Sequence, residues 1–259
     1  MSLHHRISIL PDARALARRL ATRIADALQA NPALVLGLPT GRTPLLLYEE
    51  LARMSKEGAV DFSAATTFNL DEFIGIPSSH PGSYRSFMQQ HLFDHVNIAP
   101  SRIQFLDGAA ADVTAEACRY EAAIEDTGGI DLLVLGIGTN GHIGFNEPSR
   151  GLAARTHRVT LKPETRRSNA SLFGGDPDAV PAEALSMGMG TILAAKSVVL
   201  IATGERKAAC VEQLVAGPIT TELPASFLQL HSDVEILLDE PAAKTLRTQN
   251  SELRTPRSG

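Results

Sequence analysis

The sequence predicts an α/β fold, in which an open, mostly parallel β-sheet carries helices on both of its faces. The residues from Leu132 to Leu135 form an unbroken apolar run, which is typical of a strand buried on both sides. Short apolar runs of this kind alternate with amphipathic segments along the chain, and that order favours parallel pairing with right-handed crossovers. Glycines at positions 136, 138 and 141 follow the run, where the backbone must turn tightly or lie against a ligand.

The predicted elements leave few irregular stretches between them. Apolar residues at helical spacing predict a helix over 11–30, and further helices are expected at about 44–55, from Ser83, at 112–125 and from Gly204. Strands are expected at 33–38, 66–71, 104–106, 131–135, 155–161, 196–203 and 234–238. Thr43 is expected to cap the second helix, with Pro44 at its first position.

Length and composition indicate one domain over residues 1–259. The chain is 44% hydrophobic and 20% charged, which is ordinary for a globular α/β domain, and no linker or repeat divides it. The net charge of −5 gives no sign of nucleic-acid binding, and no apolar run is long enough to span a membrane. Two cysteines are too few for a disulfide framework, so we expect a cytoplasmic protein. The residues from about Thr248 onward are expected to be frayed.

A polar segment over 163–190 interrupts the alternating pattern. It is rich in glycine, proline and serine, a composition that favours a mobile cover over a core element. We therefore expect a mobile lid at about 163–190 within the single domain.

Two predicted strand-to-helix connections carry features of an anion site. In the loop 39–44, Gly41 allows close approach of the backbone, Thr43 precedes the helix, and Arg42 adds a charge that can hold a phosphate. The same residue types also build an ordinary turn, so the loop alone leaves both interpretations open. Lys207 begins another helix, where it is either a second anion contact or a solvated surface lysine.

Two carboxylates, Asp71 and Glu72, lie at the end of the strand predicted over 66–71. Adjacent strand residues point to opposite faces, so only one of the two can enter a given crevice. A carboxylate in that place can act as a general base. An isolated pair of this kind is also typical of surface or helix-capping carboxylates.

The segment after Leu135 contains glycines at 136, 138 and 141, which match the dinucleotide-binding pattern literally. We reject that interpretation because no helix opens at the third glycine and no acidic residue ends the next strand. His142 and Glu147 can instead form an acid/base pair in which the carboxylate orients the imidazole and raises its pKa. The alternative is a structural histidine, although the strand end and its glycines favour a functional one.

Together these stretches resemble the glucosamine-6-phosphate deaminase (isomerase) family over nearly the whole chain. Several motifs in the same order are more specific than any single one. The stretches that carry the resemblance are Leu36 to Pro44, Phe68 to Phe73, Ser83 to Met88, Gly136 to Pro148, Ala184 to Thr191, Gly204 to Lys207 and Leu228 to His231.

The resemblance implies a modified Rossmann-like fold and the conversion of D-glucosamine 6-phosphate and water to D-fructose 6-phosphate and ammonium. It implies no metal and no organic cofactor, and as partner only a small amino-sugar phosphate, with the chain a monomer or homo-oligomer. By the family pattern, His142 opens the sugar ring, and Glu147 orients and tunes the His142 imidazole. Asp71 then moves a proton from carbon 2 to carbon 1. The rim formed by Gly41, Arg42, Thr43 and Lys207 is expected to hold the phosphate.

Two positions in the presumed active site depart from the family pattern. Asn140 stands where the family often has aspartate, so we expect His142 to depend on Glu147 alone, with Asn140 limited to a hydrogen bond. Ser171 stands where the family has a phosphate-binding arginine. We hypothesise that Arg42 replaces that arginine, because the family commonly has a small residue at position 42.

A third departure concerns regulation. Allosteric members of the family have basic and hydroxyl residues just after the Glu-Pro pair, whereas this chain has Arg150, Gly151, His157 and Val159 at the matching positions. We therefore expect hyperbolic kinetics without activation by N-acetylglucosamine 6-phosphate.

Three alternative functions remain open at this point. A deaminase for galactosamine 6-phosphate and a 6-phosphogluconolactonase-like hydrolase would keep the fold, although a lactonase has no use for a base at carbon 2. A sugar-phosphate sensor without turnover is the third, and the presence of Asp71, His142 and Glu147 together argues against it.

Overall fold

A computed structural model describes residues 6–246 of the chain. The expected frayed tail from Thr248 lies outside the described residues. Within the described part, none of the helices is long and apolar enough to cross a membrane.

The elements alternate between strands and helices in the order that the sequence predicts. The strands are β1 Arg6–Leu10, β2 Val35–Leu38, β3 Thr66–Asn69, β4 Asp71–Phe73, β5 Ile103–Gln104, β6 Leu132–Gly136, β7 His157–Thr160, β8 Glu183–Ser186, β9 Ser197–Ala202 and β10 Val234–Asp239. The α-helices are α1 Ala13–Ala30, α2 Leu45–Lys56, α3 Tyr84–His91, α4 Val113–Asp126, α5 Pro163–Asn169, α6 Met189–Leu193 and α7 Ala208–Ala216.

Seven strands form one parallel sheet in the order β1-β10-β9-β6-β2-β3-β5. The chain proceeds from β2 outward through β3 and β5, and then returns to place β6 on the opposite side of β2. The order of the strands therefore reverses between β2 and β6. In open α/β sheets the crevice at such a reversal, outside the carboxyl ends of the strands, is where ligands bind.

The central strand β6 is buried on both faces, as its apolar run predicts. Leu133 and Leu135 pack into one core, which includes side chains of α4 and α7. Leu132 and Val134 pack into the other, with α1 and α2. Because neighbouring strand residues point to opposite sides, one run of leucine and valine serves two cores. The predicted open, mostly parallel sheet with helices on both faces is confirmed.

A second, smaller sheet was not predicted. Its three antiparallel strands lie in the order β4-β8-β7. The strand expected over 66–71 is in fact two strands, because the chain bends at Leu70 and Asp71 enters the second sheet opposite Ser186. The bend is held by the Leu70 carbonyl, which accepts from Met187 N at 2.8 Å, and by the Leu70 side chain, which is buried in the core.

The segment 163–190 is only partly a surface element. It begins with α5 and a short 3₁₀ turn over Ala170–Phe173, but it ends in β8 and the start of α6. Leu185, Met187 and Met189 from this last part are buried in the core beside β6. Residues 183–190 therefore belong to the body of the domain, and the expectation of a mobile lid now applies to residues 163–182, where it stays a prediction.

The starts of α2 and α3 differ in how they are capped. The prediction that Thr43 caps α2 is wrong: Pro44 is the N-cap residue, no side chain bonds the first turn, and the helix begins at Leu45. Ser83 caps α3 as predicted, since its hydroxyl accepts from Ser86 N at 3.3 Å. The first turn of α2 has a backbone bond in place of a side-chain cap, since Leu45 N donates to the Arg42 carbonyl at 3.4 Å.

Candidate active site

The candidate site lies at the carboxyl ends of β2, β3 and β6. Residues 39–44 follow β2, residues 137–148 follow β6, and Asp71 begins β4. Fold topology alone thus brings the predicted phosphate loop, the predicted base and the predicted histidine segment to one edge of the molecule.

The loop over 39–44 is anchored at its start and open at its centre. The Tyr48 hydroxyl donates to the Pro39 carbonyl, whereas Gly41 has a positive φ of 95° and nothing within 4 Å of its would-be Cβ. Arg42 is exposed, and its guanidinium forms no ion pair with the described residues. The backbone and a side-chain cation are therefore both accessible in this loop.

The segment after β6 holds the His142 ring against its own backbone. A Cβ atom on Gly138 would lie 2.3–2.5 Å from three atoms of that ring, so only glycine fits there. Gly138 N also donates to the His142 carbonyl at 2.9 Å, which closes the loop. The glycines that resemble a dinucleotide pattern therefore position a histidine, in agreement with our rejection of that interpretation.

Asn140 fixes the tautomer of His142. Its Oδ1 accepts from the backbone N–H of His142 at 3.3 Å and lies 2.7 Å from Nδ1 of the ring. Since the backbone N–H can only donate, the atom facing it is the amide oxygen, and Nδ1 must carry the proton. In the neutral ring, Nε2 is then left with a lone pair that can take a proton.

The predicted action of Glu147 on His142 is wrong. The ring is hydrogen-bonded to Asn140, and no hydrogen bond joins it to Glu147 among the described residues. The pKa of His142 is lowered to about 4, not raised, chiefly because the ring is desolvated, with further lowering by the Lys207 and Lys162 charges. The imidazole is therefore neutral at physiological pH.

Glu147 is buried and held by the helix that starts the presumed lid. Its Oε1 accepts from the Thr165 hydroxyl. Its Oε2 has no hydrogen-bond partner in the described structure and lies 3.8 Å from Nζ of Lys162. Sequence reasoning missed both partners, because a threonine and a lysine in a polar segment carry no distinguishing spacing.

Asp71 is buried and faces the loop between His142 and Glu147. A Cβ atom built on Gly144 would lie 3.8 Å from Asp71 Oδ2, so the carboxylate points at the middle of that loop. Burial, together with the nearby Glu72 charge, raises the pKa of Asp71 to about 8. A carboxyl group with a pKa in this range is a strong base once ionised and can also return the proton.

Glu72 has a structural role that separates it from its neighbour. Its carboxylate accepts from Phe73 N, Tyr84 N and Arg85 N at 2.9–3.0 Å and from the Ser83 hydroxyl. It therefore satisfies the start of α3, and of the two carboxylates only Asp71 is available to a ligand.

Lys207 is a partly buried cation on the far side of His142. It forms no ion pair with the described residues, and burial lowers its pKa. Its loop is held by Asp239, whose two carboxylate oxygens each lie 3.0 Å from Gly204 N. An unpaired, partly desolvated ammonium beside a catalytic-type histidine favours an anionic ligand over a surface role.

The remaining site features concern Ser171 and metal binding. Ser171 is exposed on the 3₁₀ turn of the segment 163–182, and its hydroxyl carries no charge. Among residues 6–246, no cluster of three or more histidine, cysteine and acidic side chains could hold a metal ion.

The fold and this arrangement define a class of protein: a Rossmann-like α/β enzyme in which a buried carboxylate faces the loop that carries a desolvated imidazole. The chain belongs to the glucosamine-6-phosphate isomerase/6-phosphogluconolactonase family, whose model matches residues 12–237.

Homologous sequences and solved structures agree with this family membership. A glucosamine-6-phosphate deaminase of Halothermothrix orenii is 46% identical over 241 residues, covering 93% of this chain and all of the relative. The solved structure of a monomeric glucosamine-6-phosphate deaminase has a TM-score of 0.89 at 41% identity, covering 92% of this chain and 99% of the other. The 6-phosphogluconolactonase from Trypanosoma cruzi has a TM-score of 0.74 at 21% identity, covering 95% and 98%, and shares the fold.

Proposed function

We propose that this protein converts D-glucosamine 6-phosphate and water to D-fructose 6-phosphate and ammonium. The observation that carries the proposal is the approach of Asp71 to the loop between His142 and Glu147. Isomerisation needs one base for the carbon acid and a separate group for ring opening, and the site provides both. Hydrolysis of a lactone does not require removal of the carbon-2 proton, so a lactonase has no use for a base at that carbon.

His142 is suited to open the pyranose ring. Its Nε2 lone pair takes the proton of the carbon-1 hydroxyl while the ring carbon–oxygen bond breaks, and the proton then passes to the ring oxygen. The Asn140 hydrogen bond keeps Nδ1 protonated, so the lone pair that ring opening requires stays on Nε2. The open-chain aldehyde that forms makes the carbon-2 proton acidic.

Asp71 is suited to the isomerisation. Its carboxylate takes the carbon-2 proton to give a cis-enolamine, and the same group returns a proton to carbon 1. Carbon 1 is thereby reduced and carbon 2 oxidised within one molecule, so no external oxidant takes part. Water then adds to the carbon-2 imine and ammonia leaves, which gives the ketose.

The phosphate group is assigned to the rim formed by the loop 39–44 and Lys207. Gly41 has open space where a side chain would begin, and Thr43 lies in the same loop. We assign to Arg42 the charge that the arginine at position 171 gives to the family, since Arg42 is exposed and unpaired while Ser171 cannot supply a charge.

We also place the enzyme in the cytoplasm. Cys118 and Cys210 are free thiols, and Cys118 is exposed. An exposed free thiol is compatible with a reducing compartment.

Turnover assays test the proposed function. Ammonium release is measured with glucosamine 6-phosphate and with its galacto epimer, and hydrolysis is measured with 6-phosphogluconolactone, each at matched concentration. The proposal expects the highest kcat/KM with glucosamine 6-phosphate. Preferential hydrolysis of the lactone, preferential turnover of the galacto epimer, or binding without turnover would each replace the proposed function by the matching alternative.

A further inference from the structure

Lys162 bonds to the residue that follows Glu147. It is the N-cap residue of α5, between β7 and the presumed lid. Its Nζ donates to the Pro148 carbonyl at 2.7 Å and lies 3.8 Å from Glu147 Oε2. The same lysine therefore contacts the backbone next to Glu147 and the carboxylate itself.

Glu147 needs such a partner. One of its oxygens accepts from Thr165, but Oε2 is buried and has no hydrogen bond in the described part of the chain. A buried carboxylate oxygen without a donor is destabilised unless a positive charge lies close to it. The Lys162 ammonium provides that charge, and its hydrogen bond to Pro148 holds the ammonium in place.

The charges around this carboxylate come from several elements. His142 and Asp71 face the same loop, and Lys207 acts on His142 from the start of α7. The Cys210 thiol lies beside Lys207, and Glu72 acts on Asp71. Of the two lysines, only Lys162 is bound to the segment that carries Glu147, and Lys207 is unpaired beside the presumed phosphate site.

We propose that Lys162 is a positioning residue for the deamination, which holds the Glu147 carboxylate in place through its contacts with Oε2 and the Pro148 carbonyl. The proposal rests on the proposed function. It also links the presumed lid to the catalytic loop, because Lys162 directly precedes α5 and Thr165 lies within that helix.

The test compares Lys162→Met with Lys162→Arg. Lys162→Met is expected to lower kcat by about 10-fold with KM changed by less than about 2-fold. It is also expected to raise the pKa of His142, because the Lys162 charge lowers that pKa and the variant removes the charge. Lys162→Arg keeps the charge and should restore kcat.

A matched control is Lys196→Met, which removes a surface lysine paired with Asp131 at 2.7 Å. It is expected to leave both the rate and the pH profile unchanged. An unchanged kcat in Lys162→Met, or a failure of Lys162→Arg to restore it, would overturn the proposal.

NMR titration of the His142 ring provides a readout that does not depend on turnover. The pKa of His142 should rise in Lys162→Met and return toward its normal position in Lys162→Arg. If the natural protein released no ammonium while the His142 pKa still moved, the proposed function would fall and the Lys162 contact would stand. An unchanged His142 pKa in an active enzyme would overturn the Lys162 proposal alone.

Discussion

The Nδ1 atom of His142 lies 2.7 Å from the amide oxygen of Asn140, so an uncharged side chain orients the ring. Asn140→Asp places a negative charge at that distance, and we expect the pKa of His142 to rise from about 4 toward its ordinary value. Asn140→Ala removes the orienting acceptor and should lower kcat by about 10- to 100-fold.

Titration of the His142 ring by NMR checks the first expectation, and steady-state kinetics checks the second. An Asn140→Ala enzyme with an unchanged kcat would show that the tautomer is fixed by something other than this hydrogen bond.

The pH dependence of activity should report the Asp71 carboxyl. Because burial raises its pKa to about 8, the base is mainly protonated below that pH. We expect kcat/KM to increase as the pH rises through about 8 and then to level. A profile that is already flat from pH 6 to 9 would contradict the assignment of Asp71 as the base for carbon 2.

Asp71 should lower the stability of the folded protein at high pH. A carboxyl group whose folded-state pKa is raised binds more protons folded than unfolded, so stability falls as the pH rises from 3.8 toward 8. Asp71→Asn removes this effect, and we expect it to be more stable than the natural protein at pH 9 by about 1–3 kcal/mol.

Urea unfolding at pH 5 and pH 9 measures that difference. The gain should be larger at pH 9 than at pH 5. Equal stabilities of the two proteins at pH 9 would show that Asp71 is not held in a desolvated place.

Arg42 should contribute to binding of the phosphate. Arg42→Gly removes an exposed cation, and we expect KM for glucosamine 6-phosphate to increase by about 10-fold with a smaller change in kcat. Arg42→Lys keeps the charge and should lose less. Inhibition by inorganic phosphate should weaken in Arg42→Gly, and an unchanged KM in that variant would contradict the assignment.

The segment 163–182 should become more protected when a ligand binds. Its helix α5 contacts Glu147 through Thr165, and the Tyr84 hydroxyl donates to Asn169 at 2.9 Å, so the segment is seated on the site at several points. Amide hydrogen exchange with and without fructose 6-phosphate measures the change. Equal exchange in both states would contradict the predicted lid.

Kinetics should be hyperbolic. The positions that bind the activator in allosteric relatives have Gly151 and Val159 here, which offer neither charge nor hydroxyl. We therefore expect the rate curve to be unaffected by N-acetylglucosamine 6-phosphate. A sigmoidal curve that this compound relieves would contradict the expectation.

Much of the fold follows from local sequence signals. The apolar run of β6 and the amphipathic pattern of α1 each have a single good structural solution, because a strand buried on both faces and a helix with one apolar stripe can pack in few ways. The break at Leu70 was not visible, since a bend between two short consecutive strands leaves no composition signal. It depends on the Leu70 carbonyl pairing with Met187, which lies far along the chain.

The sequence predicted the main residues of the site, but not the residues to which they are hydrogen-bonded or ion-paired. Asp71 and His142 stand at strand ends, which chain order reveals. The partner of His142 is two residues before it rather than five after it, and that choice is made by the turn at Gly141. Lys162 and Thr165 reach Glu147 from a segment whose composition indicates a loop, so only the folded chain shows their role.

The most direct test of the central claim is turnover by Asp71→Asn in deuterated water. The natural enzyme should release ammonium from glucosamine 6-phosphate and place solvent deuterium at carbon 1 of the fructose 6-phosphate. The folded variant should lose this activity by about 100- to 10,000-fold. Ammonium release and deuterium incorporation at more than a tenth of the natural rate in that variant would contradict the account.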